Sequence, residues 1–160
     1  MDVAEANRYT MASTAHKCDK PEGKHYTNCD KVGCGTNMFD TSPTAMCPDE
    51  KCVINTQKPY RHRIDFIKGK DGNLAEIINS FLQDTREHTF SACKDTQYLE
   101  EFSDDTKRLV MTMSLWGNSY DTMKWLDGMT GCTGACEIND SAVSFSDFTF
   151  TALESLAELE

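Results

Sequence analysis

Met1-Asp2-Val3-Ala4-Glu5-Ala6-Asn7 is the run on which the reading of this chain turns. It sets two carboxylates three positions apart in a short, mostly apolar stretch, with an asparagine directly after. On a helix, Asp2 and Glu5 would share a face, because residues three or four apart are neighbours there. In a regular strand they would point to opposite faces, because side chains alternate. One extra residue between them, a β-bulge near Val3–Ala4, would restore the phase and aim both acids the same way. The run fits a strand edge or a first helical turn, and it begins abruptly, as if something upstream had been lost.

Outward from this run, residues 8–62 are polar and cysteine-rich and are broken by Gly33, Gly35, Pro43, Pro48 and Pro59. So long an irregular segment suits a domain only if it is cross-linked or functional. Arg63-Ile64-Asp65-Phe66-Ile67-Lys68 and Leu74-Ala75-Glu76-Ile77 flank an Asp71-Gly72 turn, which reads as a hairpin. Leu74, Ile77, Ile78, Phe81 and Leu82 also have helical spacing, so a helix over 73–84 competes with it. Residues 94–103 are polar and helix-capable. Arg108 to Trp116 reads as a strand, with Leu109, Met111, Met113 and Leu115 on a core face and Val110, Thr112, Ser114 and Trp116 on a mixed face suited to a cleft. Residues 142–151 read as another strand whose apolar phase slips at Asp147, which predicts a bulge there, and 152–160 as a short helix-like tail.

The chain carries eight cysteines in 160 residues, an even and dense set. That points to disulfides and an oxidising compartment. Zinc is the rival, because Cys29/Cys34 and Cys47/Cys52 repeat one spacing and His16 and His25 lie close by. A formal net charge of −10 argues against nucleic acid or an anionic membrane surface as partner and is compatible with a neutral glycan. No stretch is long and apolar enough to cross a membrane as a helix, and no basic-then-apolar leader opens the chain. Asn139-Asp140-Ser141 is a glycosylation triplet if the chain is secreted.

Paired acids are what glycoside hydrolysis requires, one to protonate the leaving oxygen and one to attack or to activate water. Indole rings stack on the apolar faces of sugars, so Trp116 and Trp125 are candidates for a cleft as well as for a core. Several motifs then converge. Asp2-Val3-Ala4-Glu5-Ala6-Asn7 resembles the end of the Glu-x-Asp-x-x-Glu-Ala-Asn active-site strand of glycoside hydrolase family 7, the cellobiohydrolase I and endoglucanase I type of cellulase. Ser13-Thr14-Ala15-His16-Lys17-Cys18 is similar to the family's Thr-Pro-His-Pro-Cys step. The paired cysteines Cys29/Cys34 and Cys47/Cys52 resemble its cysteine ladder, and Pro59-Tyr60-Arg61 follows as in the family. Met113-Ser114-Leu115-Trp116, then Tyr120, then Met123-Lys124-Trp125-Leu126-Asp127 resemble its Met-Ser-Leu-Trp and Trp-Leu-Asp motifs. Val143-Ser144-Phe145-Ser146 resembles its last core strand.

The resemblance implies a mainly β fold, a partial antiparallel β-sandwich (a concanavalin A-like jelly roll) with long disulfide-linked loops. It makes residues 1–160 the C-terminal part of a single catalytic domain whose N-terminal part is missing. Glu5 is implied as the general acid/base and Asp2 as the helper carboxylate, while the nucleophile falls immediately before Met1. His16 is implied near the cleaved bond, Trp116 and Trp125 as sugar platforms on opposite sides of it, and Asn7 and Arg61 as further substrate-binding residues. The implied disulfides are Cys18–Cys47, Cys29–Cys34 and Cys52–Cys93, with Cys136 pairing far upstream or with Cys132. The implied activity is retaining hydrolysis of β-1,4-glucosidic bonds by a secreted monomer, its signal peptide lost with the missing part, acting on a β-glucan without cofactor or metal. The chain departs from the family at Ala4, where a tryptophan is usual, and at Gly117 and Asn118, where acids are. The arginines expected before Cys47 and Cys136 are also missing, and the stretch after Arg61 is short. Two readings from other classes stand beside it, a non-catalytic disulfide-linked carbohydrate-binding module and a zinc-binding interaction domain.

Overall fold

The computed structural model describes residues 1–19, 26–107, 109–117, 120–128 and 142–149. Strands β1 (Asp2–Ala6), β2 (Met11–Ala15) and β3 (Cys34–Asn37) form one antiparallel sheet in that order. Helix α1 (Met38–Thr41) follows, its N-terminus capped by the Asn37 side chain, which accepts from the Phe39 N–H. A short parallel pair, β4 (Met46–Cys47) and β5 (Ile54–Asn55), leads into the second antiparallel sheet of β6 (Arg61–Lys68), β7 (Leu74–Gln83) and β8 (Arg86–Ser91). Helices α2 (Thr96–Thr106) and α3 (Tyr120–Asp127) complete the order.

The hairpin reading of 63–78 holds. β6 and β7 pair antiparallel around a turn in which Gly69 N–H donates to Asn73 O and Gly72 takes φ +84°. That left-handed conformation favours glycine. The competing helix fails for a visible reason: the buried positions of β7 include Ile77, Asn79, Phe81 and Gln83, a strict period of two. Two of those four are polar, so the apolar residues alone look helically spaced. Gln83 is satisfied inside, its Oε1 accepting from Asn55 N–H and its Nε2 donating to Asn55 O, which splices β5 onto β7.

The two sheets face each other across the core. Ala15 of β2 packs with Leu74 and Ile77 of β7 and with Leu99 and Phe102 of α2. Met11 of β2 packs with Phe81, Ile54, Met38 and Met46. Met11, Ser13 and Ala15 thus define the inner face of β2, which leaves Ala12 and Thr14 on its outer face. Five ordered elements lie within the segment expected to be irregular; β2 escapes notice because Met11-Ala12-Ser13-Thr14-Ala15 has small residues on both faces.

Three expectations need correction. The disulfides are Cys18–Cys29, Cys34–Cys93 and Cys47–Cys52, not the implied Cys18–Cys47, Cys29–Cys34 and Cys52–Cys93. Adjacency dictates them. Cys18 and Cys29 face each other as an antiparallel bridge, Cys34 opens β3 beneath the end of β8, and Cys47 and Cys52 close one tight loop. These six thiols are therefore not available as zinc ligands. Second, 109–117 forms no strand, and Leu109, Met111, Met113 and Leu115 are all exposed. Third, 142–149 forms none either, although Asp147 takes φ +58° at the expected break in phase. A strand needs a neighbour for its N–H and C=O groups, and among the described residues neither segment has one. Cys132, Cys136, the Asn139 triplet and the 152–160 tail lie outside the described residues.

Candidate active site

The register of β1 on β2 locates the two acids. Asp2 pairs with Thr14 and Glu5 with Ala12, so three steps on β1 oppose two on β2. The extra residue is the expected bulge at Val3–Ala4. Directly paired residues share a face, so Asp2 and Glu5 both lie with Thr14 and Ala12 on the outer face of the sheet, away from the core. Met1, by contrast, packs against the core.

His16 follows β2 on the same side and joins the acids. Its Nε2 lies 2.9 Å from Asp2 Oδ2 and its Nδ1 lies 2.7 Å from the Asp30 carbonyl oxygen. A carbonyl can only accept, so Nδ1 carries a proton. Gly33 makes room for this arrangement. It takes φ +70°, and a β-carbon there would stand 2.7 Å from His16 Nδ1 and 2.5 Å from Ala15 O.

Glu5 feels all of this. Burial pushes its carboxyl above the ordinary carboxylate value, the negative charge of Asp2 pushes it further, and His16 pulls it back. A raised carboxyl beside a second acid is the pattern of a proton donor.

The other expected site residues fare differently. Asn7 builds the β1–β2 turn: its Oδ1 accepts from Tyr9 and Thr10 N–H and its Nδ2 donates to Asp127 Oδ2 at 2.8 Å. Its amide is engaged within the chain although the residue is exposed. Arg61 opens β6 on the other sheet, exposed and without a hydrogen bond or ion pair among the described residues. Trp116 and Trp125 do not stand apart as two platforms. Their rings are stacked, centroids 6.5 Å apart and 11° from parallel, and both are about half exposed. The row Glu5–Ala12–Asn37 crosses the first sheet, and Asn37 Nδ2 donates to the carbonyls of Trp125 and Leu126. With neighbouring strands about 4.8 Å apart, Asn37 sits two strands from Glu5, and the Trp125 carbonyl lies beyond it, 3.1 Å from Asn37 Nδ2.

Reading the sequence missed Asp30, Gly33, Asn37 and Tyr98. Only Gly33 carried a signal, as a glycine three positions after an aspartate in a loop. The roles of the others arise from pairing across 14 to 89 positions.

β1 thus sets two carboxylates beside a histidine on the outer face of the first antiparallel sheet. No family model matches the chain. In sequence it is similar to Endoglucanase 1 of Humicola insolens, 26% identical over 194 aligned positions that cover 96% of this chain and 48% of that protein. In structure it is similar to the native endocellulase EGI of Humicola insolens, with TM-score 0.66, 22% identity and coverage of 78% of this chain and 40% of that one. It is equally similar to an endoglucanase I solved in complex with cellobiose, with TM-score 0.66, 21% identity and coverage of 85% and 42%. The chain is a homologue of these endoglucanases, and it spans about half the length of the curated relatives it matches. The 194 aligned positions exceed its 160 residues, so the relative carries insertions that this chain lacks.

Proposed function

We propose that residues 1–160 form part of the single catalytic domain of a secreted, retaining β-1,4-glucanase. Glu5 acts as general acid and then general base, and Asp2 holds its proton balance. The observation that carries this reading is the bulged register of β1, which turns Asp2 and Glu5 to one face beside His16. The raised Glu5 carboxyl supports it, because a group that must protonate a departing sugar oxygen has to keep its proton. His16, hydrogen-bonded to Asp2, tunes the pair. Trp125, stacked on Trp116, offers an exposed indole to a sugar ring at the far end of the same row. Endoglucanase relatives and a relative solved with cellobiose support a β-glucan as substrate. Three disulfides suit an oxidising, extracellular setting.

A retaining hydrolysis also needs a nucleophile. The strand that β1 resembles carries it two positions before the aspartate, a position this sequence does not reach. The proposal therefore concerns the full-length protein, and residues 1–160 by themselves are inactive under it. Hydrolysis of a soluble cello-oligosaccharide by the full-length protein, abolished by Glu5→Gln, supports the enzyme. Binding of the same oligosaccharide without turnover by the full-length protein contradicts it and favours the carbohydrate-binding module.

A further inference from the structure

We propose that Tyr98, on α2, is a positioning residue for His16, and through it for Asp2 and Glu5; the inference rests on the reading of Glu5 as acid/base. The imidazole is held between two segments of chain, Ala15–Lys17 on one side and Asp30 on the other. The Asp30 N–H donates to Lys17 O at 2.8 Å and Cys18 is bonded to Cys29, so the two segments are joined through their backbones, and the Tyr98 hydroxyl adds a link on the side of the Asp30 carboxylate. It accepts from the Lys17 N–H at 3.0 Å, donates to Asp30 Oδ2 at 3.0 Å, and has Ala15 O as a second acceptor at 3.2 Å. Its partners are thus the residue before His16, the residue after it, and the residue whose carbonyl receives the Nδ1 proton.

The rest of the helix supports the grip. Glu101 pairs with the Lys17 ammonium, and Asp105 Oδ2 accepts from Cys18 N–H at 2.9 Å. Tyr98, Glu101 and Asp105 are spaced three and four apart, one helix face, and all three hold the four-residue segment 15–18. Leu99 and Phe102, on the adjoining face, are buried in the core against β7. The helix is therefore anchored to the second sheet while it grips the end of β2, and the Cys34–Cys93 bridge ties the same two regions covalently. The Lys17 ammonium lies 4.9 Å from the centre of the Tyr98 ring, which further restricts the ring.

The consequence is chemical. With Asp30 and the strand end joined, the Asp30 carbonyl faces Nδ1, the Nδ1 proton stays there, and Nε2 is left to Asp2. Without the hydroxyl, Asp30 keeps its backbone bond to Lys17 but its carboxylate loses the tie to α2, so the carbonyl that receives Nδ1 is fixed less closely and the imidazole gains room to turn away from Asp2. The charged groups that face His16 are Asp2 and Glu5 from β1 and Asp30 from the loop, with Lys17 and Glu101 paired behind it.

The test reads His16 directly, by 15N NMR of the full-length protein labelled at histidine, its signals assigned by their loss in His16→Gln. In the unaltered protein Nδ1 stays protonated from pH 5 to 8, whereas an Nδ1 that loses its proton in that range overturns the proposal without any Tyr98 variant. In Tyr98→Phe the expected result is an imidazole that exchanges between tautomers, with kcat on a cello-oligosaccharide down by roughly tenfold and KM within about twofold. Unchanged His16 signals in a folded Tyr98→Phe overturn the proposal. Altered signals in a protein that hydrolyses no glucan even when unaltered uphold the positioning and overturn the catalytic reading instead.

Discussion

Glu5 is pulled in two directions by its neighbours, and this makes its environment measurable. Burial and the charge of Asp2 raise its carboxyl, and His16 lowers it. In the proposed role of proton donor it must be protonated, so activity is expected to fall as pH rises through its elevated value, forming the alkaline limb of the kcat/KM profile. Asp2→Asn removes a charge that raises Glu5, and the alkaline limb is expected to move to lower pH. His16→Gln removes the opposing influence and is expected to move it to higher pH. Opposite movements in the two variants support the geometry, while an alkaline limb that stays put in both removes Glu5 as its source. The residues of this cluster were partly legible in the sequence. Asp2, Glu5 and His16 lie within 15 positions of one another and in motifs, so local reading reached them. Tyr98 and Asp30 are ordinary surface-type residues until the fold brings them to His16.

At the level of elements, the bulge in β1 and the docking of α3 do most to shape the site. The bulge was inferable because a strand with acids three apart has no other way to turn both to one side. The docking of α3 was not, since it runs through Asn37 as well as through the Asn7–Asp127 hydrogen bond. The Asn37 amide caps α1 at Phe39 N–H, accepts from Thr10 Oγ1 and donates to the Trp125 and Leu126 carbonyls, the last two across 88 and 89 positions. Asn37→Ala is expected to cost about 1–3 kcal/mol, combining a lost cap with carbonyls left unpaired. Hydrogen exchange should also speed up in Tyr120–Asp127 while β7 stays protected. Unchanged exchange in α3 would mean that it is held by other contacts. The same lesson explains why a helix over 73–84 competed with the hairpin in the sequence. Asn79 and Gln83 occupy buried strand positions, and hydrophobic periodicity cannot count a polar residue as buried.

For the whole molecule, the mainly β sandwich was legible through the motifs, and the connectivity of its cross-links was not. Cysteine order alone admits many pairings, and the choice is made by which strands lie side by side. Non-reducing digestion should release linked peptides for Cys18–Cys29, Cys34–Cys93 and Cys47–Cys52; a Cys29–Cys34 link would contradict the fold around β3. Among the described disulfides, Cys34–Cys93 closes the longest loop, 59 positions, and joins the two sheets. Replacing both cysteines by serine is expected to cost about 4 kcal/mol by loop entropy. The site itself hangs on that bridge, because Cys34 pairs with Ala15 beside His16. The central claim, that Glu5 delivers a proton to a departing sugar, is tested most directly by comparing leaving groups in the full-length protein carrying Glu5→Gln. On cellotetraose, whose leaving sugar needs the proton, kcat should fall by about 10²–10⁴. On a dinitrophenyl cellobioside, whose phenolate leaves without one, the first bond cleavage should be largely spared. Equal loss on both substrates, or undiminished hydrolysis of cellotetraose, would contradict the assignment.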